Sequence, residues 1–132
     1  MDTVVIDTDI FSFFFKRDSR RELYLDEVIG RQLCLSFMSV AELRKWAIVR
    51  NRGRRRRDSL ESALRRYVIL PYDDAMAHHW AEVSARRQNL GRPISCGDCW
   101  IASSALRHNL PLISHNGEHY QDIPNLHVVS HR

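Results

Sequence analysis

The sequence predicts an α/β domain with a mainly parallel central sheet of four to five strands flanked by helices. Three features point to it. Short apolar runs such as Val4-Val5-Ile6, Leu33-Cys34-Leu35 and Val68-Ile69-Leu70 alternate with longer stretches whose apolar residues recur at helical spacing. Gly, Pro and charged residues fall where those stretches stop. The chain of 132 residues shows no internal repeat and no linker, so one domain spanning 1–132 is expected.

Val4-Val5-Ile6 reads as a buried parallel strand, because an unbroken β-branched run suits a strand covered on both faces, and Asp7 stands at its carboxyl end. Residues 9–17 and 22–31 read as helices, the second carrying Leu23, Val28 and Ile29 and loosening at Gly30. Leu33 to Phe37 is the second strand. Ser39-Val40-Ala41-Glu42 has capping-box spacing, and Leu43, Trp46, Ala47 and Val49 carry that helix to about Arg50. Arg50 to Arg57, with six arginines and Gly53, forms a charged break. Leu60, Leu64 and Tyr67 then mark a helix leading into the strand Val68-Ile69-Leu70. A long helix over 74–89 sets Met76, Trp80 and Val83 on one side and ends at Gly91 and Pro93. Ser95 to Asp98 repeats the capping-box spacing and opens a helix over 97–108. Leu112-Ile113-Ser114 is a strand, Asn116-Gly117 a turn, and Leu126 to Val129 the last strand. Trp46, Trp80 and Trp100 sit at helical core spacings and read as packing residues.

Hydrophobic content of 44% with 27% charged residues and four prolines excludes a disordered or low-complexity chain. No run approaches the length of a membrane span, so no membrane partner is expected. The opening MDTVVIDTD lacks the basic and apolar regions of a signal peptide, and Cys34, Cys96 and Cys99 fit no disulfide framework. Both point to the reducing cytoplasm. All but Lys16 and Lys45 of the twenty basic residues are arginine, and the net charge is +4. Arginine suits bidentate phosphate contacts, so a basic surface around an acidic pocket points to a nucleic-acid substrate.

The acidic pocket follows from where the strands end. Asp7 and Asp9 follow the first strand, Glu42 lies near the start of the helix after the second, Asp98 opens the helix before the next, and Asn116 follows Ile113. Most of these map to the carboxyl edge of the sheet, where open α/β folds place ligands. Carboxylates gathered there repel one another unless a cation joins them, and hard oxygen donors suit Mg²⁺ or Mn²⁺. Singly, each has a plainer reading. Glu42 and Asp98 sit three residues after a serine and could complete capping boxes, Asp9 reads as a cap or loop residue, and Asn116 before Gly117 as a turn.

Three other patterns compete. His115-Asn116-Gly117-Glu118-His119 matches the H-x-x-E-H spacing of a zinc peptidase class, but Asn-Gly is a poor helix centre. Cys96-Gly97-Asp98-Cys99 has C-x-x-C spacing at a helix start, with small buried thiols as the plainer reading. Asp7-Thr8-Asp9 matches the start of haloacid-dehalogenase phosphatases, for which this chain is short.

Together the stretches VVIDTDIFSFF, SVAEL, ISCGDCWIASSALRHNLPLISHN and EHYQDIPNLHV resemble, nearly end to end, the PIN domains and within them the VapC-type toxins of bacterial toxin–antitoxin pairs. The resemblance implies a ribonuclease with acidic metal ligands. It maps the family's aspartates onto Asp7 and Asp98, its glutamate onto Glu42, and its fourth position onto Asn116, which carries no charge. Asp9 stands where relatives often have Asn or Ser. On this reading Asp7 and Asp98 hold Mg²⁺ or Mn²⁺, Glu42 orients or deprotonates the attacking water, and Asn116 holds an oxygen through its amide. The resemblance further implies structured RNA, such as transfer or ribosomal RNA, as substrate and a cognate antitoxin as partner. A non-catalytic module that grips RNA or protein is the alternative, and a homodimer stays open. The antitoxin's docking groove is expected between the helices at about 9–17 and 39–50, with Ile10, Phe11, Phe14, Phe15 and Trp46.

Overall fold

Five short strands form one parallel sheet in the computed structural model, which describes residues 2–51 and 53–132. In chain order the elements are β1 (Thr3–Ile6), α1 (Thr8–Phe15), a 3₁₀ turn (Ser19–Tyr24), α2 (Leu25–Val28), β2 (Gln32–Ser36), α3 (Phe37–Val49), α4 (Arg54–Leu64), β3 (Val68–Leu70), α5 (Asp74–Asn89), α6 (Cys96–Arg107), β4 (Leu112–Ile113), a second 3₁₀ turn (Gly117–Tyr120) and β5 (Val128–Val129). The sheet order is β3-β2-β1-β4-β5, so the chain winds outward from β1 in one direction and later in the other. That reversal opens a crevice at the carboxyl ends of β1 and β4.

The period-two rule sorts the core onto the two faces of the sheet. Val4, Ile6, Leu35 and Ile113 join Ile10, Phe11, Leu43 and Leu60 on one side. Val5, Cys34 and Leu112 join Cys99, Ile101 and Ala102 on the other. Each of Val5, Ile6, Leu112 and Ile113 is fully buried, worth about 1.5–3 kcal/mol apiece. The register pairs Ile6 with Ile113, which sets Asp7 beside Ser114.

Several expected boundaries move, each for a local reason. The expected helix over 22–31 is a 3₁₀ turn followed by a single α-turn. Asp18 caps the turn by accepting from Arg20 N at 2.9 Å, and Ile29 leaves α2 in an extended conformation. Leu23 and Ile29, which gave the segment its helical pattern, are 48% and 68% exposed, so the core never needed that face. Phe37 belongs to α3 and not to β2. Ser36 is the cap, its Oγ accepting from Met38 N at 3.1 Å, so Ser39 and Glu42 lie inside the helix and form no capping box. Arg54 to Arg57 is the first turn of α4 and not a loop, while Arg52 lies outside the described residues. Ser95 does cap α6, accepting from Asp98 N at 3.2 Å. Gly91, which follows α5, has φ +74°, the left-handed conformation that favours glycine after a helix.

The apolar groove also differs. Ile10 and Phe11 are buried in the core, α1 packs on α3, and the Lys16 ammonium lies 4.8 Å from the Trp46 ring centre. The groove beside α1, about 810 Å³, is walled instead by α4, with Phe14, Phe15, Arg54, Arg55, Arg66 and Tyr67 among its lining. The charge of Arg54 to Arg57 conceals that wall in the sequence. Among the described residues no helix is long and apolar enough to cross a membrane.

Candidate active site

Asp7 caps α1 directly after β1, and its carboxylate is 6% exposed. Three donors hold it there. Oδ1 accepts from Thr8 N at 2.7 Å, and Oδ2 accepts from Ser114 Oγ at 2.8 Å and Tyr120 Oη at 2.9 Å. Burial nevertheless pushes the Asp7 carboxyl up, the three hydrogen bonds oppose that, and the Asp98 charge adds to it. Tyr120, itself buried, also reaches Asp98 Oδ1 at 3.3 Å, so one phenol bridges the two aspartates. Burial, with the charges of Asp7 and Asp98, pushes the phenol up and keeps it a donor. The other oxygen of Asp98 meets His119 Nδ1 at 3.2 Å.

Tyr120 is fixed from behind. Arg87 on α5, buried with no carboxylate partner among the described residues, donates from Nη1 to the carbonyls of His119 at 2.8 Å and Gln121 at 3.2 Å, the residues on either side of Tyr120. Its Nε donates to the Arg92 carbonyl at 2.7 Å.

Glu42 approaches from α3. Its Oε1 accepts from Thr8 Oγ1 at 2.7 Å, and Ser39 Oγ lies 2.8 Å from the same hydroxyl, giving a short chain from the buried Ser39 through Thr8 to Glu42. Burial raises the Glu42 carboxyl, Thr8 opposes this, and the charges of Asp7 and Asp98 raise it further. On α6, Gly97 leaves the room Glu42 needs, since a Cβ there would stand 2.7 Å from Glu42 Oε2.

Asn116 reaches the cluster through Asp9. Its Nδ2 donates to Asp9 Oδ2 at 3.0 Å, and His115 N donates to the same oxygen at 3.1 Å. Asp9 therefore lies in the first turn of α1 and ties down the 114–116 turn, which corrects its reading as a cap or loop residue. Its other oxygen, Oδ1, is buried without a hydrogen-bond partner, and burial followed by the Asp7 charge pushes the carboxyl up to about 7. The structure thus gathers Asp7, Glu42 and Asp98, and joins Asn116 to them by way of Asp9. Sequence reasoning missed Thr8, Ser114 and Tyr120 as site residues; only the ISHN stretch and the aromatic after His119 hinted at the last two.

The competing patterns dissolve in this geometry. His115 does not share a helix with His119: its ring contacts Tyr24 Oη at 2.8 Å and Phe13 edge-on, whereas His119 faces Asp98. Cys34, Cys96 and Cys99 are free thiols, with Cys99 pushed up to about 11 by burial.

The donor set decides whether a divalent cation fits. Among the described residues, no three His, Cys, Asp or Glu side chains converge into a complete metal shell. Two carboxylates held together by one hydroxyl do offer hard oxygen donors, and Mg²⁺ is bound by one or two carboxylates with water and phosphate completing the shell. The charge crowding at Asp7 and the orphaned Asp9 oxygen fit the same group.

Comparisons with known proteins give the family. Ribonuclease VapC1 of Haemophilus influenzae (strain R2866) is 29% identical over 126 residues, covering 92% of each chain. Among solved structures, VapBC-1 from nontypeable Haemophilus influenzae superposes with a TM-score of 0.80 at 27% identity over 97% of each chain. VapBC2 from Rickettsia felis, crystallised with a fragment of promoter DNA, shares the fold at a TM-score of 0.86 and 20% identity over 98% of this chain and 99% of that one. The model of the PIN domain matches residues 4–126, and with the parallel sheet and the acidic edge already in place, the chain belongs to the PIN-domain family.

Proposed function

We propose that this protein is a divalent-cation-dependent endoribonuclease, the toxin of a type II toxin–antitoxin pair. The observation that carries the catalytic reading is the Tyr120 bridge between Asp7 and Asp98, with Glu42 beside them at the carboxyl edge of the sheet. The ribonuclease names of its relatives support RNA as the substrate.

Asp7 and Asp98 are the residues that would hold Mg²⁺ or Mn²⁺. When bound, the cation supplies Lewis-acid polarisation of the scissile phosphate and lowers the pKa of a nearby water. Glu42 orients that water or takes its proton, and the partial burial that raises its carboxyl disposes it to accept one. Thr8, with Ser39 behind it, keeps the Glu42 carboxylate turned to the centre. Asn116 spends one amide hydrogen on Asp9 and keeps the other for a phosphate oxygen or a water. The non-catalytic alternative would have no use for three buried or half-buried carboxylates crowded together.

The test is cleavage of total RNA by the purified chain with Mg²⁺ or Mn²⁺, and with a chelator as control. Asp7→Asn and Asp98→Asn are expected to lower cleavage at least ~100-fold with the fold intact, since each removes a ligand and a charge. Metal-independent cleavage, or wild-type rates in both variants, would refute the mechanism.

The partner reading follows from relatives solved as VapBC assemblies. An antitoxin must cover the carboxylates, and an inserted Arg or Lys would neutralise them. The groove between α1 and α4, apolar at Phe14 and Phe15 and rimmed by Arg54, Arg55 and Arg66, suits an apolar helix carrying acidic residues.

A further inference from the structure

An ionised carboxylate has about four lone-pair sites, two on each oxygen. At Asp7 three of them are filled by the protein. Ser114 Oγ and Tyr120 Oη occupy both sites of Oδ2, and Thr8 N occupies one site of Oδ1. One lone pair, on Oδ1, is left for a ligand.

These donors cannot step aside. Ser114 is fully buried beside Asp7 because the β1–β4 register puts it there, and Tyr120 is clamped by Arg87 through the carbonyls before and after it. The main-chain donor Thr8 N is the first amide of α1. A carboxylate engaged in this way can bind a cation through Oδ1 alone.

Divalent cations differ in what they ask of a carboxylate. Ca²⁺ takes a large, irregular oxygen shell and readily accepts both oxygens of one carboxylate, whereas Mg²⁺ needs a tight octahedron of single oxygens and keeps several waters. Mn²⁺ falls with Mg²⁺ as a hard octahedral ion.

We propose that Tyr120 and Ser114 set the cation selectivity of this site by sealing Oδ2 of Asp7, so that the carboxylate is monodentate and small octahedral ions are favoured over Ca²⁺. The inference rests on the cation site of the proposed function and adds two selectivity residues to it. Tyr120 has a second effect: its hydroxyl, shared between Asp7 and Asp98, fixes how far apart the two carboxylates stand.

The test is calorimetric titration of the metal-free chain with Mn²⁺ and with Ca²⁺, comparing wild type, Tyr120→Phe and Ser114→Ala. Thermal unfolding and circular dichroism establish that each variant is folded, and each opens Oδ2 through a different donor, so either one alone decides. Wild type should prefer Mn²⁺. In the variants the Mn²⁺/Ca²⁺ affinity ratio should fall ~tenfold, with Mn²⁺ binding weakened and Ca²⁺ binding kept or strengthened. A folded variant with the wild-type ratio overturns the selectivity role while leaving the cation site standing. Failure of the wild type to bind either ion overturns the cation site, and the selectivity role falls with it.

Discussion

At Asp7 burial and the Asp98 charge raise the carboxyl while three donors favour its charged form, and the Asp7 charge in turn helps to raise Asp9 and Glu42. Asp9 is raised by its own burial first and by the Asp7 charge second. With its carboxyl pushed up to about 7, the folded protein holds a proton between about pH 4 and 7 that the unfolded chain has released. Metal-free stability is therefore highest below about pH 4 as far as this group is concerned, declines as pH rises toward 7, and levels off above. Asp9→Asn should flatten that decline, as read from urea midpoints in chelator at pH 5 and 8; an equal slope in both proteins would remove Asp9 as its cause. Gly97 makes a second prediction, with two signs. Alanine there gains helix propensity of up to ~1 kcal/mol, yet its Cβ must push Glu42 aside. Gly97→Ala should thus melt no lower than wild type and cleave RNA ~10-fold or more slowly, and unaltered cleavage would show that Glu42 is not held where it matters. Asp7, Glu42 and Asp98 could be picked out of the sequence because Asp7 follows a visible strand, Asp98 stands in the first turn of α6, and Glu42 lies within α3, whose apolar pattern is visible. Thr8, Ser114 and Tyr120 could not, because a hydroxyl's partner 107 or 113 residues away depends on the sheet register.

The elements most open to misreading are those whose chemistry contradicts their shape. Four arginines in the first turn of α4 stand against the positive end of the helix dipole, which is why the segment reads as a charged break. Tertiary packing overrules that cost. Leu60 and Leu64 bury the other face of α4, and the Arg56 guanidinium lies 5.1 Å from the Phe15 ring centre. Arg54→Glu with Arg55→Glu should raise the melting temperature, each worth ~0.3 kcal/mol or more, while weakening RNA binding. The salt dependence of that binding should flatten by ~0.7 in log–log slope for each phosphate no longer neutralised. An unchanged slope would assign these arginines to the groove beside α1 alone. The 22–31 segment misleads for the opposite reason: of its patterned residues Val28 packs on the core while Leu23 and Ile29 face outward, and periodicity does not say whether a face finds a core. The parallel sheet is legible because all five strands fall on apolar runs set off by helices or turns, with β4 and β5 shortened to two residues each.

At the scale of the whole molecule, the prediction concerns a cell. Expression of the intact chain alone should arrest growth, Asp98→Asn should relieve the arrest, and co-expression with the small neighbouring open reading frame should restore growth and yield a co-purifying complex. Normal growth at a verified level of wild-type protein would count against the toxin reading. The order of the strands bears on when such activity can begin. β1, made first, is central in the sheet, and β4, which begins the second flank, is made only after α6. Ser114, which holds Asp7, and Tyr120, which bridges Asp7 and Asp98, belong to that late segment. During translation the nascent chain thus carries all three carboxylates before it has the means to assemble them. On the proposed function, the ribosome, itself built of RNA, should meet no assembled site at its exit until Tyr120 has emerged and β4 has paired beside β1.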